Sequence, residues 1–191
     1  EFCNVDLSAF YVDVRKDALY CDAPHSLRRR ACRSALDEVF SRLTAPLAPV
    51  LPLTMEEAWL TRFPQHAWVH LRMFPDTQAE WEDDFAGEEI ARLREVRAVV
   101  TGALELARRD KLIGSALEAR PRVFIRDDEL RASLLAVDFA ELCITSGVDI
   151  GAGEAPPGAF ALAEVPGVAV MVEKAPGVKC ARSWKYFDPA T

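Results

Sequence analysis

No stretch of the chain reaches the roughly 18 uninterrupted apolar residues that a membrane-spanning helix needs. The opening Glu1-Phe2-Cys3-Asn4 carries neither a basic leader nor an apolar signal core. Cysteine is sparse: Cys3, Cys21, Cys32, Cys143 and Cys180 are odd in number, and no two stand closer than eleven residues. That spacing excludes a disulfide framework and a CxxC metal pair, and it points to a reducing, cytoplasmic compartment. Cys3, Cys21, Cys32 and Cys143 lie in apolar or helical surroundings and are expected to be small buried hydrophobes. Of the three histidines, His66 and His70 are four apart, but Pro64 and Pro75 bracket them and no acidic or Cys partner lies at metal spacing. GxSxG, HExxH and the Walker lysine loop are missing, and Lys111-Leu-Ile-Gly114 has too few glycines to cradle a phosphate with its backbone. Cations are the minority charge, 23 Lys and Arg against 30 Asp and Glu, a formal net charge of −7. In bulk that disfavours a phosphate-bearing partner. Local clustering of Lys and Arg is the sharper criterion.

The 191 residues, half of them hydrophobic and 28% charged, suffice for one large domain or two small ones with a real core. The chain does not begin with Met and reads as an excised fragment. Leu7, Phe10, Tyr11 and Val14 share one helical face, and the pattern runs to about Tyr20 before Asp22-Ala23-Pro24. Ser26 is placed to cap a second helix that buries Cys32, Ala35, Leu36, Val39, Phe40, Leu43 and Leu47, punctuated at its end by Pro46, Pro49 and Pro52. Thr54-Met55-Glu56-Glu57 has the form of a capping box and predicts a short third helix from there. The longest helix carries Ile90, Leu93, Val96, Val100, Ala103, Leu104 and Ala107, with Gly114 as its stop and Glu88/Arg92 and Glu105/Arg109 as i, i+4 pairs.

Beyond Gly114 the texture changes. Arg122-Val-Phe-Ile-Arg126, Leu142-Cys-Ile-Thr-Ser146 and Val168-Ala-Val-Met-Val172 read as strands, and Asp127-Asp128-Glu129 opens a short helix. Gly151 to Gly158 reads as a mobile loop. The fold class is therefore mainly α: an antiparallel helical bundle over residues 1–114, a small α+β subdomain over 115–176, and a tail over 177–191. Paired acids such as Asp83-Asp84 and Asp127-Asp128 fall at helix starts, where the helix dipole favours them, so they need no catalytic explanation.

Two clusters of cations stand out. Arg28-Arg29-Arg30 and Arg33 crowd a helix N-terminal end, where the dipole disfavours them. An external anion would offset that cost; a solvated face paired with nearby acids is the alternative. Lys179, Arg182 and Lys185 make the second cluster, with Trp184 and Tyr186 interleaved as stacking surfaces or as the core of a small hairpin.

Four collinear blocks resemble the anticodon-binding region of bacterial isoleucyl-tRNA synthetases. Asp6-Leu-Ser-Ala-Phe-Tyr-Val-Asp-Val-Arg-Lys-Asp-Ala-Leu-Tyr-Cys-Asp22 is similar to the helix that opens that region. Leu47-Ala-Pro-Val-Leu-Pro-Leu-Thr-Met-Glu-Glu-Ala-Trp59 is similar to the hinge between its helices, a block shared more loosely with the valyl and leucyl relatives. Lys111-Leu-Ile-Gly-Ser-Ala-Leu-Glu-Ala119 resembles the end of its long helix. Gly177-Val-Lys-Cys-Ala-Arg-Ser-Trp-Lys185 resembles the start of its carboxy-terminal zinc motif.

The resemblance implies a module that docks the anticodon arm of tRNA for isoleucine. ATP, magnesium and the chemistry of isoleucine–tRNA ligation belong to catalytic and editing domains outside this chain, whose His-Ile-Gly-His and Lys-Met-Ser-Lys-Ser signatures are missing here, so the fragment alone is expected to be inactive and monomeric. With such a partner, the clustered cations are expected to supply phosphate contacts from Arg15, Lys16, Arg28, Arg29, Arg30 and Arg33, and anticodon-loop contacts from Lys179, Arg182, Trp184 and Lys185. No catalytic residue is expected. In the family's zinc motif a Cys-x-x-Cys precedes the Trp; here Ser183 stands three residues after Cys180, so no zinc is expected. The competing readings are a helical protein-interaction domain, motivated by the net charge of −7, and the same module from a valyl or leucyl enzyme.

Overall fold

A computed structural model describes residues 1–188; the last three residues of the 177–191 tail lie outside the described part. The fold is mainly α with a small α+β part. A π-helical segment (Phe2–Val12) precedes α1 (Lys16–Tyr20), α2 (Leu27–Leu47) and α3 (Pro52–Arg62). The long helix α4 (Asp84–Arg109) follows, then β1 (Arg122–Ile125), α5 (Asp128–Leu135), α6 (Phe139–Cys143), β2 (Asp149–Ala152), β3 (Val168–Met171), β4 (Val178–Lys179) and β5 (Tyr186–Phe187). Contacts divide the chain into two units: Glu1–Lys16 with everything from Asp83 onward, and Asp17–Glu82.

The first unit is organised by α4. Asp83 caps it, its carboxylate accepting from the Ala86 N–H at 2.9 Å. Leu93, Val96, Val99, Val100, Ala103, Leu104 and Ala107 form its buried stripe. Against that stripe lies a three-stranded sheet in the order β2-β1-β3. Strand β1 runs parallel to β2 (Val123 opposite Ile150) and antiparallel to β3 (Val123 opposite Val170). Alternation puts Val123, Ile125, Val168 and Val170 inward. The parallel pair needs a long crossover, which α5 and α6 supply, burying Leu134, Phe139 and Cys143 in the same core. Gly102 sits mid-helix because a Cβ there would meet the Phe160 ring at 2.8 Å. The π-helical segment is tied to this unit by Asp6, which accepts from Arg94 at 2.7 Å, and by Phe10 beneath the Arg94 and Arg97 guanidiniums.

In the second unit Ala48, Trp59 and Val69 form a small cluster joined by Phe40, Met55, Leu60 and Phe63. The Trp59 indole N–H donates to Ala67 O at 2.9 Å, and Arg72 lies over the ring at 4.1 Å from its centroid. The same guanidinium donates to Ser41 O, Thr44 Oγ1 and Ser41 Oγ, stitching residues 69–72 to α2. Helix α2 starts where expected, with Ser26 Oγ accepting from the Arg29 N–H at 3.2 Å.

Several expectations are corrected. The third helix begins at Pro52, two residues before Thr54, because proline's fixed φ suits the first helical position. Glu56 is not a capping partner but accepts from the Val69 N–H at 2.9 Å. Helix α2 buries only Cys32, Thr44 and Ala45; Ala35 is exposed and the rest of the expected set half-buried, since the unit's core reaches α2 only from Phe40 on. Leu142 to Ser146 is not a strand: Leu142 and Cys143 are the last residues of α6, which Asp138 caps, and Ile144 ends the helix in the left-handed region at φ 56°. The first residues of the expected loop, Gly151 and Ala152, belong to β2. Helix α4 ends at Arg109, with Lys111 at φ 59° turning the chain before Gly114. Arg92 pairs with Asp127 and Glu129 rather than Glu88, and Glu105 with Arg108 rather than Arg109. Cys3 is exposed and Cys21 half-exposed; Cys32 and Cys143 are buried, and burial pushes the Cys143 thiol up to about 12.

Two outcomes are expected. Leu134→Ala should destabilise the first unit by about 2–5 kcal/mol, because truncating this fully buried side chain of α5 leaves a cavity in the shared core; urea unfolding followed by circular dichroism measures it. The second concerns Asp22, whose carboxyl is held below its usual value of 3.8 by hydrogen bonds from Arg28. A lowered folded-state value means its stabilising contribution is full above the unfolded value and is lost as pH falls through the lowered one. Asp22→Asn should therefore flatten part of the acid limb below pH 3.8 in the stability profile, and a carbon-detected titration should place the Asp22 midpoint below that value.

Candidate nucleic-acid interface

The arginine cluster occupies the first turns of α2, and its members differ in availability. Arg28 grips Asp22 with two nitrogens, Nε at 2.7 Å and Nη2 at 2.5 Å. Arg29 donates through Nη1 to Asp22 O at 2.9 Å, while its buried Nε has no partner among the described residues. Arg30 and Arg33 are exposed and make no side-chain hydrogen bond or ion pair with another described residue. Thus Asp22 ties the base of the cluster to the loop before α2, and two guanidiniums face solvent.

Arg15 and Lys16 belong to the other unit. Arg15 Nη1 donates to the buried carboxylate of Glu141 at 3.0 Å. That bond joins the turn between the π-helical segment and α1 to α6. Lys16 pairs with Asp13 at the surface.

The tail forms a two-stranded hairpin, β4 against β5, with Lys179 opposite Tyr186. Its turn is closed by Cys180 N–H to Lys185 O at 2.8 Å and Trp184 N–H to Cys180 O at 3.0 Å. Gly177 enters at φ 98°; a Cβ there would lie 2.0 Å from Phe187 O, so only glycine fits. The Tyr186 N–H donates to Ser146 Oγ at 2.7 Å and fastens the hairpin to the body of its unit. Trp184 is 62% exposed and held at φ 64°, a conformation that a bulky residue rarely adopts. Lys179 Nζ stands 5.6 Å from its ring centroid. Lys179 and Arg182 are exposed and Lys185 is half-buried.

Hydrogen bonds from the Ser183 backbone and hydroxyl, with a smaller contribution from Arg182, lower the Cys180 thiol from its ordinary value. One thiolate and one hydroxyl do not fit a structural zinc centre, which wants four thiolate or imidazole donors. No group of three or more His, Cys, Asp or Glu gathers around a possible metal among the described residues. His66 packs on the Trp59 and Phe63 rings, and His70 lies 4.0 Å from Glu56.

The structure brings Lys179, Arg182, Trp184 and Lys185 together on one hairpin, and Arg28 to Arg33 on one helix end. It also gathers cations that sequence spacing does not connect: Arg108, Arg109, Lys111 and Lys174 line one open basin. Lys174 arrives there only through an antiparallel bridge to Ala119, a tertiary pairing with no local signal.

Over residues 1–123 the chain matches the family described as the anticodon-binding domain of tRNA ligase. Among curated proteins it is 59% identical to isoleucine–tRNA ligase of Brucella abortus biovar 1 (strain 9-941) over 186 residues, 97% of this chain and 19% of that protein. It is 54% identical to isoleucine–tRNA ligase of Agrobacterium fabrum over 185 residues, and 52% identical to that of Bartonella henselae over 186, again 97% of this chain and 19% of each relative. The chain therefore spans about a fifth of the length of the relatives it matches. With more than half of its residues matched, the protein belongs to the family of anticodon-binding domains of tRNA ligases.

Proposed function

We propose that this chain docks the anticodon arm of tRNA for isoleucine, and that it serves the ATP-dependent isoleucylation carried out by a full-length isoleucine–tRNA ligase. The observation that carries this reading is Trp184: an indole held out to solvent in a strained backbone conformation, beside the Lys179 ammonium. A strained, exposed aromatic gains nothing for folding, and an unstacked base would cover it. Lys179, Arg182 and Lys185 supply charge for the loop phosphates around that base. Arg30 and Arg33 reach the stem phosphates, with Arg28 and Arg29 held by Asp22 as their support. Arg15 and Lys16, each engaged with a carboxylate, contribute further phosphate contacts. The isoleucine label of the relatives favours isoleucine over the valyl or leucyl siblings. On this reading the role of the chain is binding, and the activation of isoleucine and editing belong to other parts of such a ligase.

The work of such a module is positional. Phosphate contacts fix the register of the arm and carry no sequence information, while the stacked base and its neighbours carry discrimination. A second reading, a protein-binding surface, draws on Trp68, Leu71, Met73 and Phe74, all exposed in the second unit. Sedimentation of the chain at rising concentration separates the two, since a sticky apolar surface self-associates without RNA.

Fluorescence anisotropy with labelled tRNA tests the main reading. Replacing Arg30 and Arg33 together with Ala should weaken binding to isoleucine tRNA and to an unrelated tRNA by the same factor, and lower the slope of log affinity against log salt by about two. Trp184→Ala should cost about 1–3 kcal/mol with an isolated anticodon stem-loop and much less with a stem lacking the loop. Wild-type chain that ignores tRNA at low salt would rule the reading out.

A further inference from the structure

The C-terminal end of α4 opens onto a basin of about 610 Å³ lined by Glu105, Arg108, Arg109, Lys111, Gly114 and Lys174, among others. Three pieces of chain build it: the last turn of α4, the left-handed turn at Lys111, and the strap that the Ala119–Lys174 bridge and the Ala175 N–H to Glu118 O bond (2.8 Å) lay alongside. The acids of the basin are occupied internally. Glu105 accepts from Arg108 at 2.8 Å, and Glu118 accepts from the Gly114 N–H at 2.9 Å. Among the described residues Arg109 pairs with its neighbour Asp110, at 3.4 Å. The side chains of Lys111 and Lys174 make no hydrogen bond or ion pair with another described residue. Favourable placement at a helix C-terminus accounts for Arg108 and Arg109. It does not account for the two lysines, which lie beyond the helix and come from distant parts of the sequence. Nor does folding explain Lys111, whose φ of 59° would suit Gly or Asn better.

We propose that this basin binds the phosphodiester backbone of an RNA helix, a phosphate contact additional to those on α2 and the hairpin. It rests on the tRNA-docking reading in taking RNA as the ligand. The basin is wide and open and its free groups are point charges rather than a fork or an amide nest. That suits a passing backbone that presents several phosphates and is ill suited to enclosing one small anion.

The test uses the whole chain, isotopically labelled, with three probes: a short RNA duplex without a loop, the isoleucine tRNA, and inorganic phosphate. The duplex should move the amide resonances of Lys111 to Gly114 and of Lys174. The double variant Lys111→Gly with Lys174→Ala should abolish those shifts, weaken the duplex roughly fivefold and lower its salt slope by about two. Because glycine suits the left-handed turn, the variant keeps or gains thermal stability, so lost binding is not lost folding. Unmoved basin amides, or a variant that binds the duplex like the parent, would overturn the proposal. Inorganic phosphate producing the same shifts at lower phosphate concentration than the duplex would overturn the RNA backbone as ligand in favour of a free anion. tRNA bound with the basin amides unmoved sinks the basin alone. A duplex bound in the basin while Trp184→Ala leaves stem-loop binding untouched sinks the anticodon reading alone.

Discussion

Burial of the apolar stripe of α4 is the constraint on which the first unit depends. Val96, Val99 and Val100 are fully buried, and β1, β2, β3, α5 and α6 all bring apolar residues to the core built on this stripe. Each such side chain contributes about 1.5–3 kcal/mol when removed from water, enough to offset the ordering of the short strands that cover it. Strands of four residues in a three-stranded sheet would not persist alone. They persist because Val123, Ile125, Val168 and Val170 present one continuous apolar face to the helix. Gly102 and Phe160 show the closeness of the fit: a mid-helix glycine is tolerated because a ring fills the space its side chain would take.

Polar anchoring does the rest. Tyr186 reaches Ser146, Arg120 reaches Glu173 O, and Arg15 reaches Glu141, so the hairpin, the strap and the opening segment are all fastened to the core by directed bonds. These are the pieces that hold the proposed contacts. A hairpin of two-residue strands keeps Trp184 in a strained conformation only because both its ends are fixed, by the Gly177 turn and by the Ser146 bond. The second unit uses the same device on a smaller scale, with Arg72 serving both as a cation over Trp59 and as a donor to α2.

The net charge of −7 conceals how the cations are distributed. Many of the acids are spent locally, capping helices at Asp83, Asp127 and Asp138 or pairing with particular arginines, as Asp149 does with Arg120. Arg30, Arg33, Lys111 and Lys174 are left to solvent. Net charge is a poor guide here because a capping carboxylate already faces backbone N–H groups and does little to neutralise a guanidinium on another face.

Local chemistry was legible in the sequence. The cap at Ser26, the helix starts marked by Asp83 and Asp127, the period of α4, the strands at Arg122 and Val168, the helical class of the fold and the arginine cluster all follow from interactions within a few residues. Long-range pairing was not. Leu142 to Ser146 has strand composition but lies in and just beyond a helix capped by Asp138, and Gly151-Ala152 has loop composition but pairs with β1. An apolar run of five residues fits either period, and only the partner decides. Which arginines of the cluster are free, and that Lys174 sits beside Lys111, were likewise decided by tertiary structure. Side-chain partners and strand register depend on which surfaces meet, and a linear pattern carries no record of that.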